Sequence, residues 1–170
     1  MNFYQRNLPH WQPFEAEYFV TFRLAGSIPQ KVVSRIKNKL RNLAGKSEAD
    51  TEKLSSRINR LTFQKYERYL EGNNPGPYWL RKSSIAKLLC EAIEYRNGKK
   101  YDLYSYCVMP NHVHLVFKLF PAPNNTKYPV TKIIGSLKQY TAREANKLLQ
   151  RKGQFWQHES FDRVIRDNEN

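Results

Sequence analysis

The sequence Met109-Pro-Asn-His-Val-His-Leu-Val-Phe117 predicts the turn and the second strand of a β-hairpin. Polar and apolar residues alternate after the turn, so His112 and His114 project from one face of the strand and the apolar residues project from the other. The preceding β-rich run, Tyr101 to Met109, is the predicted antiparallel partner. The hairpin therefore presents two imidazoles side by side on one face of a sheet.

Strand and helix signals continue in both directions from this hairpin. Tyr18 to Leu24 alternates apolar and polar residues and stops at Ala25-Gly-Ser27, which predicts a first strand. We predict one domain over residues 1–170, with a helical arm at about 30–71 and a C-terminal extension at about 153–170. Apolar residues at helical spacing predict four helices: Pro29 to Leu43, Thr51 to Leu70, Ile85 to Ile93 and about Pro129 to Leu149.

The charge of the chain indicates a polyanionic partner. Twenty-nine Lys and Arg residues against 15 Asp and Glu residues give a net charge of +14. The 11 Tyr, 9 Phe and 3 Trp residues offer flat faces on which unpaired bases stack, a combination that favours single-stranded nucleic acid. A basic protein whose aromatic residues only fill its core has the same composition.

The cysteines and the hydropathy pattern exclude two classes of protein. Cys90 and Cys107 lack the CxxC or CxxH spacing of a thiol zinc site or a redox pair. No apolar run approaches the roughly 20 residues needed to cross a bilayer. We therefore expect a soluble intracellular protein that does not act in a membrane.

The paired histidines are half of a possible metal site. Two imidazoles held by rigid backbone on one face bind a divalent cation well, and buried aliphatic residues on the other face would fix their direction. The same His-x-His pair occurs in cupins and other metalloenzymes, and it also occurs at half-buried sheet edges without a metal. The pair alone leaves these alternatives open.

The last predicted helix offers a nucleophile and a carboxylate. Tyr140 and Glu144 are one turn apart and lie together on the edge of its apolar arc. A phosphodiester attacked by a phenol needs its oxygens polarised, and a cation held by His112, His114 and Glu144 could do this. Tyr140 would then be the nucleophile. The simpler alternative is a boundary tyrosine with a buried ring and a solvated hydroxyl.

The chain resembles a family of DNA-processing enzymes. Cys107-Val-Met-Pro-Asn-His-Val-His-Leu-Val116 is similar to the HUH strand of single-tyrosine transposases, with Tyr140 in the expected downstream helix. The resemblance implies an α+β fold with a ferredoxin-like antiparallel sheet that carries helices. Three other segments resemble the branch of REP-associated tyrosine transposases: Tyr66-Glu-Arg-Tyr-Leu70, Gly76-Pro-Tyr-Trp-Leu-Arg81 and Gly153 to Arg166.

The resemblance also implies roles for individual residues. His112 and His114 match the paired metal ligands, Tyr140 the nucleophile and Glu144 the third ligand, with Mg²⁺ or Mn²⁺ as the cation. His158 and Glu159 are an alternative ligand or proton shuttle. The expected reaction cuts single-stranded DNA, often near REP-like hairpins, and leaves a 5′-phosphotyrosine and a free 3′-hydroxyl. Cationic residues expected to contact DNA phosphates are Lys138, Arg143, Lys147, Arg163 and Arg166.

The resemblance leaves the assembly open. Relatives build symmetric dimers, some of which exchange the tyrosine helix, but this branch also includes proteins that act as monomers. We expect either a homodimer or a monomer, in a bacterial cytoplasm and associated with the nucleoid. In this branch we expect a further helical stretch after Asn170.

Two other functions compete with the transposase hypothesis. A non-catalytic module could bind single-stranded DNA or RNA through the same basic and aromatic residues, with Tyr140 only packing or stacking. An iron-dependent oxygenase could use His112, His114 and Glu144 as its ligands, but it gives no role to the charge of +14.

Overall fold

An antiparallel sheet and the helices between its strands position the site. The computed structural model describes residues 4–5, 9–10, 16–44, 51–72, 76–120 and 130–165. No helix in these ranges is both long and apolar enough to cross a membrane. The strands are β1 (Tyr4–Gln5), β2 (Pro9–His10), β3 (Glu17–Leu24), β4 (Tyr101–Val108), β5 (His112–Leu119) and β6 (Trp156–Ile165), and the helices are α1 (Gln30–Ala44), α2 (Thr51–Glu71), α3 (Ser83–Glu94) and α4 (Val130–Leu148).

The sheet confirms the predicted ferredoxin-like α+β fold. Its strand order is β4-β5-β3-β6, and every neighbouring pair is antiparallel. The chain order from β3 onward, β3-α3-β4-β5-α4-β6, is the βαββαβ arrangement of that fold. Helices α1 and α2 lie between β3 and α3, where the helical arm was predicted. The predicted C-terminal extension contains β6, which is an integral strand of the sheet.

One face of the sheet forms the main core under α3 and α4. Because side chains alternate along a strand, Val113, Leu115 and Phe117 project to this face, and all three are fully buried. They pack in one cluster with the apolar sides of both helices. Full burial of one such side chain stabilises the fold by about 1.5 to 3 kcal/mol, which holds α4 on this face. The residues that α4 contributes include Ile133, Ile134, Leu137 and Ala145.

The other face of the sheet is covered by the helical arm. The aromatic ring of Phe63 on α2 stacks on Phe161 of β6, with 4.1 Å between centroids, and meets the edge of Phe19 of β3. The carbonyl of Leu70, near the end of α2, accepts a hydrogen bond from the side chain of Asn111 before β5. The arm is therefore anchored to three neighbouring parts of the sheet.

Truncation of a core side chain of α4 tests this packing. We predict that Leu137→Ala lowers the free energy of unfolding by about 2 to 5 kcal/mol, because Leu137 is fully buried. The exposed neighbour Gln139→Ala is the matched control and should change it by less than about 0.5 kcal/mol. Urea denaturation measures both. Equal effects of the two substitutions would contradict the assigned face of α4.

Candidate metal centre

Two histidines and one glutamate converge on the arm-covered face of the sheet. His112 Nε2 lies 3.0 Å from His114 Nε2, and Glu67 Oε2 lies 3.2 Å from His114 Nε2. One ligand atom from each of the three residues lies within 4.8 Å of the other two. Strand β5 supplies both imidazoles because residues two positions apart in a strand share a face. Helix α2, which covers that face, supplies the carboxylate.

The outer nitrogens of both imidazoles have defined partners. Asn111 Nδ2 donates to the Leu70 carbonyl, so its Oδ1 is the atom 2.7 Å from His112 Nδ1. An amide oxygen only accepts, so this nitrogen of His112 carries the proton and Nε2 presents its lone pair to the cluster. His114 Nδ1 lies 2.8 Å from Thr21 Oγ1, and this hydrogen bond orients the second ring. Such contacts fix the direction of metal-binding imidazoles.

Burial and an unpartnered oxygen show that the cluster fits a cation. His112 is fully buried, and burial lowers the pKa of its imidazole to about 4, so the ring is neutral near pH 7. Within the described residues, Glu67 Oε1 is buried and has no hydrogen-bond partner. Two imidazole nitrogens and a carboxylate suit a divalent transition-metal ion such as Mn²⁺. The cluster Glu67, His112 and His114 is therefore the candidate metal centre.

Tyr140 lies on the opposite side of the sheet from this centre. Helix α4 packs on the face of Val113 and Leu115, whereas His112 and His114 project from the other face. The Tyr140 side chain is 42% exposed. The sequence pattern placed Tyr140 on one edge of its helix, but it carried no information about which side of the sheet the helix covers.

Glu144 is also outside the centre. Its carboxylate accepts hydrogen bonds from Arg143 Nε at 2.7 Å and Lys147 Nζ at 3.1 Å. These contacts lower the pKa of Glu144, with the larger effect from Arg143. The structure thus gathers the two predicted histidines with Glu67 and not with Glu144. Sequence reasoning missed Glu67 because it lies in a distant helix, although Tyr66-Glu-Arg-Tyr-Leu70 had been singled out.

The predicted DNA contacts divide into buried and exposed residues. Lys138 is only 9% exposed, and its Nζ donates to the His158 carbonyl at 2.8 Å and to Ser160 Oγ at 3.2 Å. It joins α4 to β6. Arg143 and Lys147 are exposed and paired with Glu144. Arg163 is exposed on the face of the metal centre, beside Phe19, and Arg166 lies outside the described residues.

A basic surface lies beside Tyr140 at the end of α3. The guanidinium carbons of Arg96 and Arg143 are each 5.9 Å from the centroid of the Tyr140 ring. An adjoining cavity of about 400 Å³ has no carboxylate among the described residues that line it. Cations and aromatic rings on one surface favour contact with a nucleic acid strand. The charged and aromatic residues of this cavity are Tyr95, Arg96, Lys99, Lys100 and Lys132.

Comparisons with known proteins found one matching family and similar solved structures. The model of the family "Transposase IS200 like" matches residues 79–165, slightly more than half of the chain and including both histidines. A solved structure described as a REP-associated tyrosine transposase bound to a REP hairpin is similar to this chain at 12% identity, with a TM-score of 0.46. The similarity covers 99% of this chain and 65% of that one. A comparison with curated proteins gave no match.

Substitution of the two glutamates distinguishes the two candidate third ligands. We predict that Glu67→Gln weakens Mn²⁺ binding by about 10-fold or more, because a charged ligand is lost from the cluster. Glu144→Gln should leave the affinity within about 2-fold, because its carboxylate pairs with Arg143 and Lys147. Calorimetric titration measures both affinities. A larger effect of Glu144→Gln would restore the sequence-based assignment.

The buried Lys138 predicts a pH-dependent stability. Burial lowers the pKa of the Lys138 ammonium from 10.5 to about 8 in the folded protein. As the pH falls between these two values, Lys138 is therefore protonated in the unfolded chain before it is protonated in the folded protein. The free energy of unfolding of the natural protein, relative to that of Lys138→Met, should therefore decrease as the pH falls from about 10 to about 8 and level off below it. Urea denaturation at several pH values measures this. A pH-independent difference would show that Lys138 is solvated.

Proposed function

The chain belongs to the family of IS200-like transposases, and we propose that it cuts and rejoins single-stranded DNA at a divalent cation held by Glu67, His112 and His114. Family membership gives it a transposase-like role in DNA processing. The observation that supports the finer proposal is the convergence of two imidazole nitrogens and a carboxylate within 4.8 Å. Both imidazoles belong to the segment that matches the family.

The residues around the centre would prepare it for a phosphodiester. A bound cation supplies positive charge for the phosphate oxygens and for the departing 3′-oxygen. Asn111 holds His112 in the tautomer that binding needs, and Thr21 orients the ring of His114. The helical arm shields the centre from water on one side, which strengthens electrostatic interactions there.

Tyr140 is our proposed nucleophile, and it would act on the metal centre of a second copy of the chain. Its oxygen would form a bond to phosphorus while the bond from phosphorus to the 3′-oxygen breaks and the phenol proton passes to water. The product is a 5′-phosphotyrosine and a free 3′-hydroxyl. A second copy is required because Tyr140 and the centre lie on opposite faces of the sheet in one chain. Arg96 and Arg143 would attract the phosphate to the phenol.

Hairpin-forming single strands are the proposed substrate. Three segments outside the histidine strand resemble the REP-associated branch, and REP-like hairpins follow from that resemblance. The net charge of +14 supports a polyanionic substrate. The basic surface at the end of α3 would provide a second contact for the strand near Tyr140.

A non-catalytic DNA-binding module is the second candidate function. The separation of Tyr140 from the metal centre favours it, because a module needs no nucleophile beside a cation. In that case the basic and aromatic surfaces alone carry the function. Membership in a transposase family argues against the third hypothesis, an iron-dependent oxygenase.

Covalent trapping tests the proposed reaction. With Mn²⁺ and a labelled single-stranded hairpin from the DNA beside its own gene, the protein should form an adduct on a denaturing gel. Tyr140→Phe and His112→Ala should each abolish it, and mixing the two variants should restore it, because each then supplies what the other lacks. Tyr104→Phe, an exposed tyrosine on β4, is the matched control and should retain the adduct.

Three other results of the trapping experiment would each contradict a part of the proposed reaction. An adduct that survives in Tyr140→Phe would show that another residue is the nucleophile. Loss of the adduct that mixing does not restore would contradict action between two copies. Binding of the hairpin without any adduct from the natural protein would favour the non-catalytic module.

A further inference from the structure

A cavity of about 260 Å³ adjoins the metal centre between the helical arm and the sheet. Strand β3 contributes Thr21 and Arg23 to its wall, and α2 contributes Tyr66 and Glu67. Glu67 therefore lines the cavity and also belongs to the metal centre. A group bound in this cavity would lie directly beside a cation in the centre.

Arg23 is a buried cation on the same face as the metal ligands. It is the partner of His112 in the β3–β5 register, and the side chains of such cross-strand partners lie on one face with Cβ atoms about 5 Å apart. The residue is only 9% exposed. Its Nη1 donates to Ser27 Oγ at 3.3 Å, and its guanidinium carbon lies 5.7 Å from the centroid of the Tyr66 ring. Burial lowers the pKa of this guanidinium, but arginine remains protonated in proteins.

Tyr66 adds a hydroxyl group without a partner. Its oxygen is buried and, within the described residues, makes no hydrogen bond. Leaving a buried hydroxyl unpaired is unfavourable, so a ligand that accepts a hydrogen bond from it would be stabilised there. Arg23 and Tyr66 line the same cavity, and the guanidinium and the hydroxyl can both donate hydrogen bonds to a ligand.

We propose that Arg23 and Tyr66 bind a phosphate group of the DNA strand beside the metal centre. A guanidinium and a hydroxyl donor match the acceptor oxygens of a phosphate, and the neighbouring cation would attract the same anion. The role of this site in cleavage rests on the proposed function, since it holds the strand where the cation acts. Two carboxylates oppose an anion here, Glu67 and Glu159. A bound cation would offset the charge of Glu67, and Glu159 would weaken the attraction of Arg23 for phosphate.

Binding of a dinucleotide tests the site without any cleavage. The probe is thymidylyl-thymidine, which has one phosphodiester, titrated calorimetrically into the full chain with Mn²⁺ present. Arg23→Gln should weaken its binding by about 10-fold or more and Tyr66→Phe by about 3-fold or more, because a charged and a neutral hydrogen bond are lost. Lys87→Gln, an exposed lysine of α3 outside the cavity, is the matched control and should bind like the natural protein.

A spectroscopic readout places the phosphate. In the natural protein, bound Mn²⁺ should broaden the phosphorus resonance of the dinucleotide, and this broadening should be lost in Arg23→Gln while Mn²⁺ affinity stays within about 2-fold. If Arg23→Gln fails to fold, Arg23→Lys and Tyr66→Phe provide the same comparison. Unchanged dinucleotide affinity in folded Arg23 and Tyr66 variants would overturn the proposal.

Two further outcomes separate this proposal from the proposed function. Binding of inorganic phosphate but not of the dinucleotide would overturn the cavity as a DNA site. Dinucleotide binding that depends on Arg23, in a protein that forms no covalent adduct, would uphold the phosphate site and count against the proposed cleavage alone.

Discussion

The antiparallel pairing of β3 with β5 is the contact on which the other features depend. Its register sets Thr21 opposite His114 and Arg23 opposite His112, so a hydroxyl that orients one imidazole and a buried guanidinium both lie beside the candidate metal ligands. The same register sends the intervening apolar residues to the core under α3 and α4. A slip by one residue would exchange the two faces, burying the histidines under those helices and exposing the core residues. Burial of the core therefore also holds the metal centre in place.

The helical arm completes the centre that this pairing begins. Helix α2 brings Glu67 to the two imidazoles, and the Leu70 carbonyl at its end fixes the amide of Asn111, which in turn fixes the tautomer of His112. Aromatic contacts to β3 and β6 pack this helix against the sheet. The three candidate ligand atoms lie within 4.8 Å of one another, an arrangement that fits a bound cation. The arm thus acts as one wall of the centre and of the adjoining cavity.

The sheet separates the two regions that the proposed function uses. The face under the helical arm has the candidate metal centre, the cavity with Arg23 and the exposed Arg163. On the opposite side, α4 carries Tyr140, with Arg96 and Arg143 near its ring. Moving α4 within one chain would expose the apolar side that it buries against β5. In the proposed reaction, contact between two copies would bring the exposed Tyr140 to the candidate metal centre without that cost. The action between two copies that is proposed above therefore needs no rearrangement of α4 within a chain.

The amino-acid sequence determined three strands of the main sheet and the four helices, with the direction of each side chain within its own element, but it did not predict β6 as a strand. Alternation through His112 and His114 predicted a strand with both imidazoles on one face, and helical spacing predicted four helices, because these periods are local properties of the backbone. Tertiary structure decided which elements face one another. It placed Glu67 rather than Glu144 at the histidines, set Tyr140 across the sheet from them, and buried the ammonium of Lys138 between α4 and β6. The helical period predicts which residues share one side of a helix. Which residues that side contacts depends on its packing against strands that are distant in the sequence.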